Sequence, residues 1–284
     1  MPSNFILRFA VYLKILRLTN FVIAFASIYF AVLIANEDLA FQLNTFFAAL
    51  SGAVIGGAGM VINDYFDFEI DKLNRPERPI PAGLISKNNA LKYYIILNAI
   101  AFIMLYKTGV IVYVIALCSM VLIFFYSFKL KRLPLVGNLC VALMTGIAFI
   151  FGGAVGGNIQ NLIIPAVFAF LINLAREIIK ATEDLEGDKQ FHLRTFPIVF
   201  GDKIALKLAF SILILLMFFT LLPYIFKIYS LTYFLIIVFG VNAVIIYSIL
   251  SLQSDSSKSN LRRIGNLIKY DMAIGLLAIY LGIK

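Results

Sequence analysis

Two short acidic stretches carry most of the side chains in this sequence that are suited to chemistry. The first reads Asn63-Asp64-Tyr65-Phe66-Asp67-Phe68-Glu69-Ile70-Asp71. On a helix, Asn63, Asp67 and Asp71 stand at i, i+4 and i+8, and Asp64 lies beside them through its i+3 and i+7 partners. Carboxylates crowded on one helical face repel, and a divalent cation offsets that repulsion. Mg²⁺ takes oxygen ligands, usually one or two carboxylates, and completes its shell with water and substrate phosphate. Asn63, Asp64, Asp67 and Asp71 are therefore candidate metal ligands. Tyr65, Phe66, Phe68 and Ile70 face elsewhere and are expected to anchor the segment.

The second stretch reads Arg176-Glu177-Ile178-Ile179-Lys180-Ala181-Thr182-Glu183-Asp184-Leu185-Glu186-Gly187-Asp188-Lys189. Asp184 and Asp188 repeat the i, i+4 spacing and join the metal candidates, with Glu183 and Glu186 flanking them. Arg176 and Lys180 keep the same spacing one to two turns earlier, where cations can hold phosphate. Two such clusters can each bind a metal and clamp a diphosphate between them, with Asp67, Asp71, Asp184 and Asp188 as the catalytic carboxylates. Further candidate contacts for substrate phosphate are Arg17 with Asn20, Arg75 and Arg78 in a loop stiffened by Pro76, Pro79 and Pro81, and Tyr126, Lys129 and Lys131. Tyr65, Tyr93, Tyr94 and Tyr126 offer aromatic faces to a cationic reaction centre. His192, the single histidine, reads as incidental.

The elements that must position these groups are membrane helices. The chain is 62% hydrophobic and 14% charged. Residues 18–36, 39–63, 93–106, 108–128, 133–175, 208–226 and 228–254 carry no charge. A helix crossing the bilayer core needs roughly 20 apolar residues. Apolar runs and their breaks predict nine spans, starting near residues 11, 41, 90, 109, 134, 161, 206, 230 and 266. With that topology every Lys and Arg except Lys107, Lys227 and Lys284 falls on one side, which the positive-inside rule makes cytoplasmic. The net charge of +9 is thereby a matter of topology and anionic ligands or headgroups, not of nucleic acid. The expectation is an all-α, polytopic bundle forming one domain over residues 1–284, multi-pass in the cytoplasmic membrane, with no obligate protein partner. The basic N-terminal residues and first apolar run read as a retained helix rather than a signal peptide. Cys118 and Cys140 fall in predicted spans without metal spacing and read as buried apolar thiols.

Connections on the outer side are short, whereas two inner ones, about residues 63–89 and 182–205, are long. Polar loops of that length in a compact domain are usually functional. Each opens with an acidic cluster at the end of an even-numbered span, and four spans separate them, which hints at an internal repeat. Gly52, Gly56, Gly57 and Gly59, and again Gly152, Gly153, Gly156 and Gly157, are expected to let helix backbones approach closely.

Asn63-Asp64-x-x-Asp67-x-x-x-Asp71 and Asp184-x-x-x-Asp188 together resemble the paired aspartate motifs of the UbiA superfamily of intramembrane prenyltransferases. The resemblance extends over nearly the whole chain, in the placement of the motifs after the second and sixth spans and in the nine-span count. It implies a bundle of nine transmembrane helices around a central cavity capped by the aspartate loops on the cytoplasmic side. It also implies Mg²⁺ held by Asn63, Asp67, Asp71, Asp184 and Asp188 and bridged to a prenyl diphosphate. Residues 63–83 and 176–188 look most like the ether-lipid branch. That branch would transfer geranylgeranyl to the sn-2 hydroxyl of the lipid-phosphate acceptor geranylgeranylglyceryl phosphate. Ala181 stands where relatives often carry another Asp. Tyr126 is one residue further from Lys131-Arg132 than in the quinone branch, leaving Lys129 or Lys131 for the phosphate role.

Two other readings stay open at this level. One keeps the chemistry but uses an aromatic quinone precursor or a tetrapyrrole as acceptor, for which Arg75 and Arg176 would not be needed as a second phosphate subsite. The other is a divalent-cation or lipid transporter. Transporters usually place ionisable groups near the bilayer midplane, and the charge-free runs leave little room for that.

Overall fold

The computed structural model describes residues 4–190 and 193–283, and His192 lies outside them. Apolar runs too long for loops and poor in strand-type alternation become helices, and no strand occurs among the described residues. The chain folds as α1 Asn4–Ile15, α2 Leu18–Ala35, α3 Glu37–Ala40, α4 Leu43–Phe66, α5 Phe68–Asn74, α6 Lys87–Met104 and α7 Val110–Phe128. There follow α8 Val136–Val155, α9 Gln160–Glu183, α10 Leu185–Gln190, α11 Phe196–Phe200, α12 Asp202–Ile225, α13 Leu231–Ile236, α14 Ala243–Ser254 and α15 Lys258–Gly282.

Eight helices among the described residues are long and apolar enough to cross a membrane, α13 and α14 counting as one through the π-helical stretch Ile237–Asn242 between them. The protein is a multi-pass membrane protein. The span expected near residue 90 is α6, whose first turns carry Lys87, Asn88, Asn89 and Lys92 and so dilute its apolar character. The span expected near residue 11 is interrupted: Arg17 takes a left-handed conformation, φ 53°, and separates α1 from α2. The last helix begins at Lys258, earlier than expected. The hydroxyl of Ser257 caps it by accepting from the Asn260 amide, and the Asn260 side chain donates to the Asp255 carbonyl at 2.6 Å.

The helices divide into two compact units. One comprises residues up to Leu130 with Ile147–Leu162; the other comprises Lys131–Gly146 with residues from Ile163 onward. In the first unit α4 is the central helix, packed by α2, α6 and α7. Ile28, Ala48, Ile55, Ala101, Leu105, Ala116 and Phe151 fill one part of its core. Ile15, Leu16, Ala58, Val61, Ile80, Ile85 and Ala90 fill another, nearer the acidic segment. The Ser51 hydroxyl donates to the Ala101 carbonyl at 2.7 Å and fastens α4 to α6. In the second unit the C-terminal helices α12 to α15 pack through Leu213, Leu216, Tyr233, Ile245, Ile264 and Ile268, all fully buried. Tyr233 donates to the Thr220 carbonyl at 2.7 Å, and Gly282 lies against the Tyr233 ring.

Most of the eight clustered glycines serve close approach as expected. A Cβ at Gly52 would collide with Ile28, at Gly59 with Ile123 at 2.9 Å, and at Gly57 with Leu16 at 3.1 Å. Gly152 and Gly156 face Ala31 and Ala35 of α2, and Gly153 faces Asn158 and Leu162. Two depart from the expectation. Gly56 has open space around it, and Gly157 supplies a positive φ of 77° in the turn after α8. Gly152→Val is thus expected to lower stability by roughly 1–3 kcal/mol through overpacking, while Gly56→Ala is close to neutral. Thermal unfolding of both variants in detergent measures the difference.

Candidate functional site

α4 carries the first acidic segment out of the first unit's core. Its hydrogen-bond ladder does not stop at the helix end. Asp67 sits between α4 and α5 at φ −85°, ψ 3°, donates its amide to the Asn63 carbonyl at 2.9 Å, and accepts from the Asp71 amide at 2.8 Å. The Arg75 amide then donates to the Asp71 carbonyl at 2.9 Å. Asn63, Asp67, Asp71 and Arg75 are therefore successive rungs of one ladder, as the i+4 spacing predicts. The Asn63 side-chain amide donates to Asp67 Oδ2 at 2.9 Å. Phe66 packs edge-on against Phe124 of α7, ring centres 5.7 Å apart, and tilted against Phe128. Lys87 lies over the Tyr65 ring at 4.7 Å. These contacts hold the segment as the sequence pattern anticipates.

Asp64 and Asp71 are nearly closed off from solvent, their side chains 3% and 6% exposed. Charges buried this deeply are tolerated only when paired. Here the partners are arginines. Arg17 Nη2 donates to Asp64 Oδ1 at 2.6 Å. Arg78 Nη1 serves two carboxylates, Asp64 Oδ1 at 3.1 Å and Asp71 Oδ2 at 2.5 Å. Positions 64 and 71 are separated by nearly two full helical turns and so share a face, which lets one guanidinium nitrogen bridge them. Arg17 also reaches Met60 Sδ at 3.3 Å. Burial pulls its guanidinium below the ordinary range, and Asp64 pulls the other way.

The loop after α5 aims Arg78. Its amides close a run of turns: Arg78 onto the Arg75 carbonyl, Ala82 onto that of Arg78, and both Leu84 and Ile85 onto that of Pro79. Ile80 and Ile85 are buried beside Ala58 and Val61, so the loop is pinned at two points. Arg75 and Asn20 are exposed, and Lys14 donates to the Glu77 carbonyl at 3.4 Å. Tyr126 lies half-buried in the last turn of α7, and Lys129 follows exposed at its C-cap. Tyr93 stacks edge-on against Tyr12 at 4.9 Å.

The second unit repeats the local construction. α4 and α9 both have 24 residues. Each ends at one aspartate, Asp67 or Asp184, followed by a helix of at most 7 residues bearing the next aspartate, Asp71 or Asp188. The ladder again runs through, with Asp184 donating to the Lys180 carbonyl at 3.0 Å and Asp188 to that of Asp184 at 2.9 Å. Here the acidic pair is only half-buried. Arg176 is held by the Gly265 carbonyl at 3.1 Å and by Glu177 at 2.9 Å. Lys180 is exposed, with Glu177 at 3.8 Å. The Asn138 amide fixes the Glu177 carbonyl at 2.9 Å, and Arg262 binds Glu183 at 2.8 Å. Lys131 is half-buried at the start of the turn leading into α8.

Arg17 and Arg78, expected to hold substrate phosphate, are thus paired with carboxylates, and Asp64, expected among the metal ligands, is their common anchor. Among the described residues no three His, Cys, Asp or Glu side chains stand close enough together to hold a metal ion.

The UbiA prenyltransferase family profile matches residues 24–270. The chain is 35% identical over 275 residues to digeranylgeranylglyceryl phosphate synthase of Methanosphaera stadtmanae, covering 95% of this chain and 98% of that one. It is 36% identical over 271 residues to the synthase of the same name from Methanothermobacter thermautotrophicus, covering 95% of each. Among solved structures, one from a study of digeranylgeranylglyceryl phosphate synthase in membranes superposes with a TM-score of 0.80 at 30% identity, over 97% of this chain and 98% of that one. A UbiA homologue from Archaeoglobus fulgidus, bound to GPP and Mg²⁺, shares the fold at a TM-score of 0.70 and 23% identity, over 95% of this chain and 99% of that one.

Sequence reading passed over Asp271. It lies midway along α15, is 1% exposed, and neither carboxylate oxygen has a hydrogen-bond partner among the described residues. An ionisable group inside a span is costly, and an unsatisfied buried polar group costs roughly 1–3 kcal/mol. Asp271→Leu is accordingly expected to raise thermal stability by roughly that amount. A fall of similar size in a detergent melt would show that the carboxylate holds a partner worth more than its burial costs.

Proposed function

The chain belongs to the UbiA prenyltransferase family, and from that premise we propose that it transfers geranylgeranyl from geranylgeranyl diphosphate to the sn-2 hydroxyl of geranylgeranylglyceryl phosphate. It is a membrane prenyltransferase. The choice of acceptor is carried by one observation, the near full-length match to synthases named for that product. The repeated aspartate construction supports the chemistry. In each unit it sets carboxylates one turn apart at the end of a long apolar helix, where a charged headgroup and an apolar tail can be served together.

The donor set fits Mg²⁺. Asn63, Asp67 and Asp71 follow one another along a single ladder, Asp184 and Asp188 along another, and all are oxygen ligands of the kind this ion takes. A bound Mg²⁺ would act as a Lewis acid on the diphosphate oxygens, as the GPP and Mg²⁺ bound to the A. fulgidus homologue suggest by analogy. We assign each acidic segment to metal-bound diphosphate and read the chain as one catalytic domain.

The protein's own groups do the rest. Arg75, Lys129, Lys131 and Lys180 would neutralise phosphate on the leaving group and on the acceptor. As the C1–O bond of the prenyl diphosphate breaks, its electron pair leaves with diphosphate and an allylic cation remains. Fixed dipoles and excluded water protect that cation from hydrolysis. The acceptor hydroxyl oxygen then forms the new bond to C1, and its proton passes to diphosphate or a carboxylate. The excess of Lys and Arg on one side of the predicted topology supports a cytoplasmic active face.

Purified protein given Mg²⁺, geranylgeranyl diphosphate and a panel of acceptors should yield the doubly prenylated glyceryl phosphate by mass spectrometry, and no product with aromatic or tetrapyrrole acceptors. Prenylation of an aromatic acceptor instead would overturn the assignment. Asp67→Ala and Asp184→Ala should each cut turnover by about 100-fold or more, the scale of losing a group that stabilises transition-state charge, without lowering the melting temperature. Near-normal turnover in both would contradict the placement of the reaction.

A further inference from the structure

We propose that Asp64 is a positioning residue rather than a metal ligand, and that Arg78 exchanges Asp71 for diphosphate when Asp71 takes its metal. The inference rests on the metal-binding reading given above and adds an order of events to it. Three observations carry it. Asp64 is the more deeply buried of the two arginine-paired carboxylates, and its Oδ1 is shared by Arg17 and Arg78. Asp71 is held by the same Arg78 nitrogen that touches Asp64. Asp67, the rung between them, has Asn63 as a hydrogen-bond donor.

A guanidinium and a divalent cation on Oδ2 of Asp71, the oxygen that Arg78 holds, compete for its electron density and repel each other. On this proposal, metal loading of Asp71 releases one of the two contacts of Arg78. Release does not set the side chain adrift. Asp64 retains it, and the loop is pinned by Ile80 and Ile85. The result is a guanidinium fixed next to a newly loaded metal with the donor capacity released from Asp71 available, the arrangement that planar recognition of phosphate oxygens requires. Arg17 remains on the same anchor, held in a left-handed backbone conformation that few non-glycine residues adopt. Such strain is retained where the surroundings impose it. Before metal arrives the arginines neutralise the carboxylates; afterwards they face an anion. Diphosphate binding is thereby made conditional on metal.

The test uses full-length protein in detergent and two binding measurements without turnover: Mn²⁺ titration by electron paramagnetic resonance, and calorimetric titration of inorganic diphosphate at saturating Mg²⁺. Arg78→Gln should tighten Mn²⁺ binding and weaken diphosphate binding, each by roughly fivefold or more, the usual range of a coupling between sites. Asp64→Asn should weaken Mn²⁺ binding, since Arg78 then rests wholly on Asp71, and adding Arg78→Gln to it should restore that loss. If Asp64 is itself a ligand, the double variant stays weak, and the proposal fails. Unchanged or weaker Mn²⁺ binding in Arg78→Gln also overturns it. Should Arg78→Gln not fold, Arg78→Lys serves the same comparison, because an ammonium on a flexible stem holds the two carboxylates less well. Asp67→Asn provides the separate control: if it leaves Mn²⁺ binding intact, the metal reading itself is wrong, whatever Arg78 does.

Discussion

Carboxylates gathered at the end of an apolar helix must have their charge balanced, and much of the first unit is arranged around that requirement. Asp64 and Asp71 are buried within a few residues of one another. Leaving either unpaired would cost several kcal/mol. The balance comes from two arginines delivered from opposite directions along the chain: Arg17 from the break between α1 and α2, and Arg78 from the turn-rich loop after α5. The left-handed Arg17, the prolines around Arg78 and the buried Ile80 and Ile85 all follow from the need to bring these cations in and hold them.

On the proposed function, the same requirement would give the site its reactivity. A cluster balanced by side chains can be rebalanced by a metal and an anion, because arginine pairs as readily with phosphate as with carboxylate. The second unit takes a looser form. Its aspartates are half-buried, and the cations near them, Arg176 and Lys180, are engaged with Glu177. The two acidic segments thus share backbone construction but differ in how tightly their charge is held.

What the sequence made legible was whatever is local. Apolar runs marked the spans, and the i+4 aspartates marked a ladder that does run on through the ends of α4 and α9. What stayed hidden was long-range or depended on packing. Arg78 and Asp64 are 14 residues apart across a proline-rich loop, and no spacing rule pairs them. Nothing in the identity of Arg17 announces a left-handed backbone, which is usually left to glycine or asparagine. Lys258, Arg262 and Arg263 interrupt the apolar pattern at the start of α15, which therefore shows only from about residue 266, and no spacing marks Asp271 as a buried carboxylate at mid-helix. Gly56 and Gly157 look like the packing glycines beside them, and only the space around one and the φ of the other tell them apart.

If the proposed function holds, Asp67 and Asp71, successive rungs of one ladder, act on the same metal-bound diphosphate. The most direct test is a double-mutant cycle on Mg²⁺-dependent binding of geranylgeranyl diphosphate, using Asp67→Asn, Asp71→Asn and the pair together. A shared ligand predicts that either single change removes most of the Mg²⁺-dependent affinity and that the second adds little more, giving a coupling of at least about 1 kcal/mol. Losses that simply add, or a single change that leaves the Mg²⁺-dependent affinity whole, would contradict it.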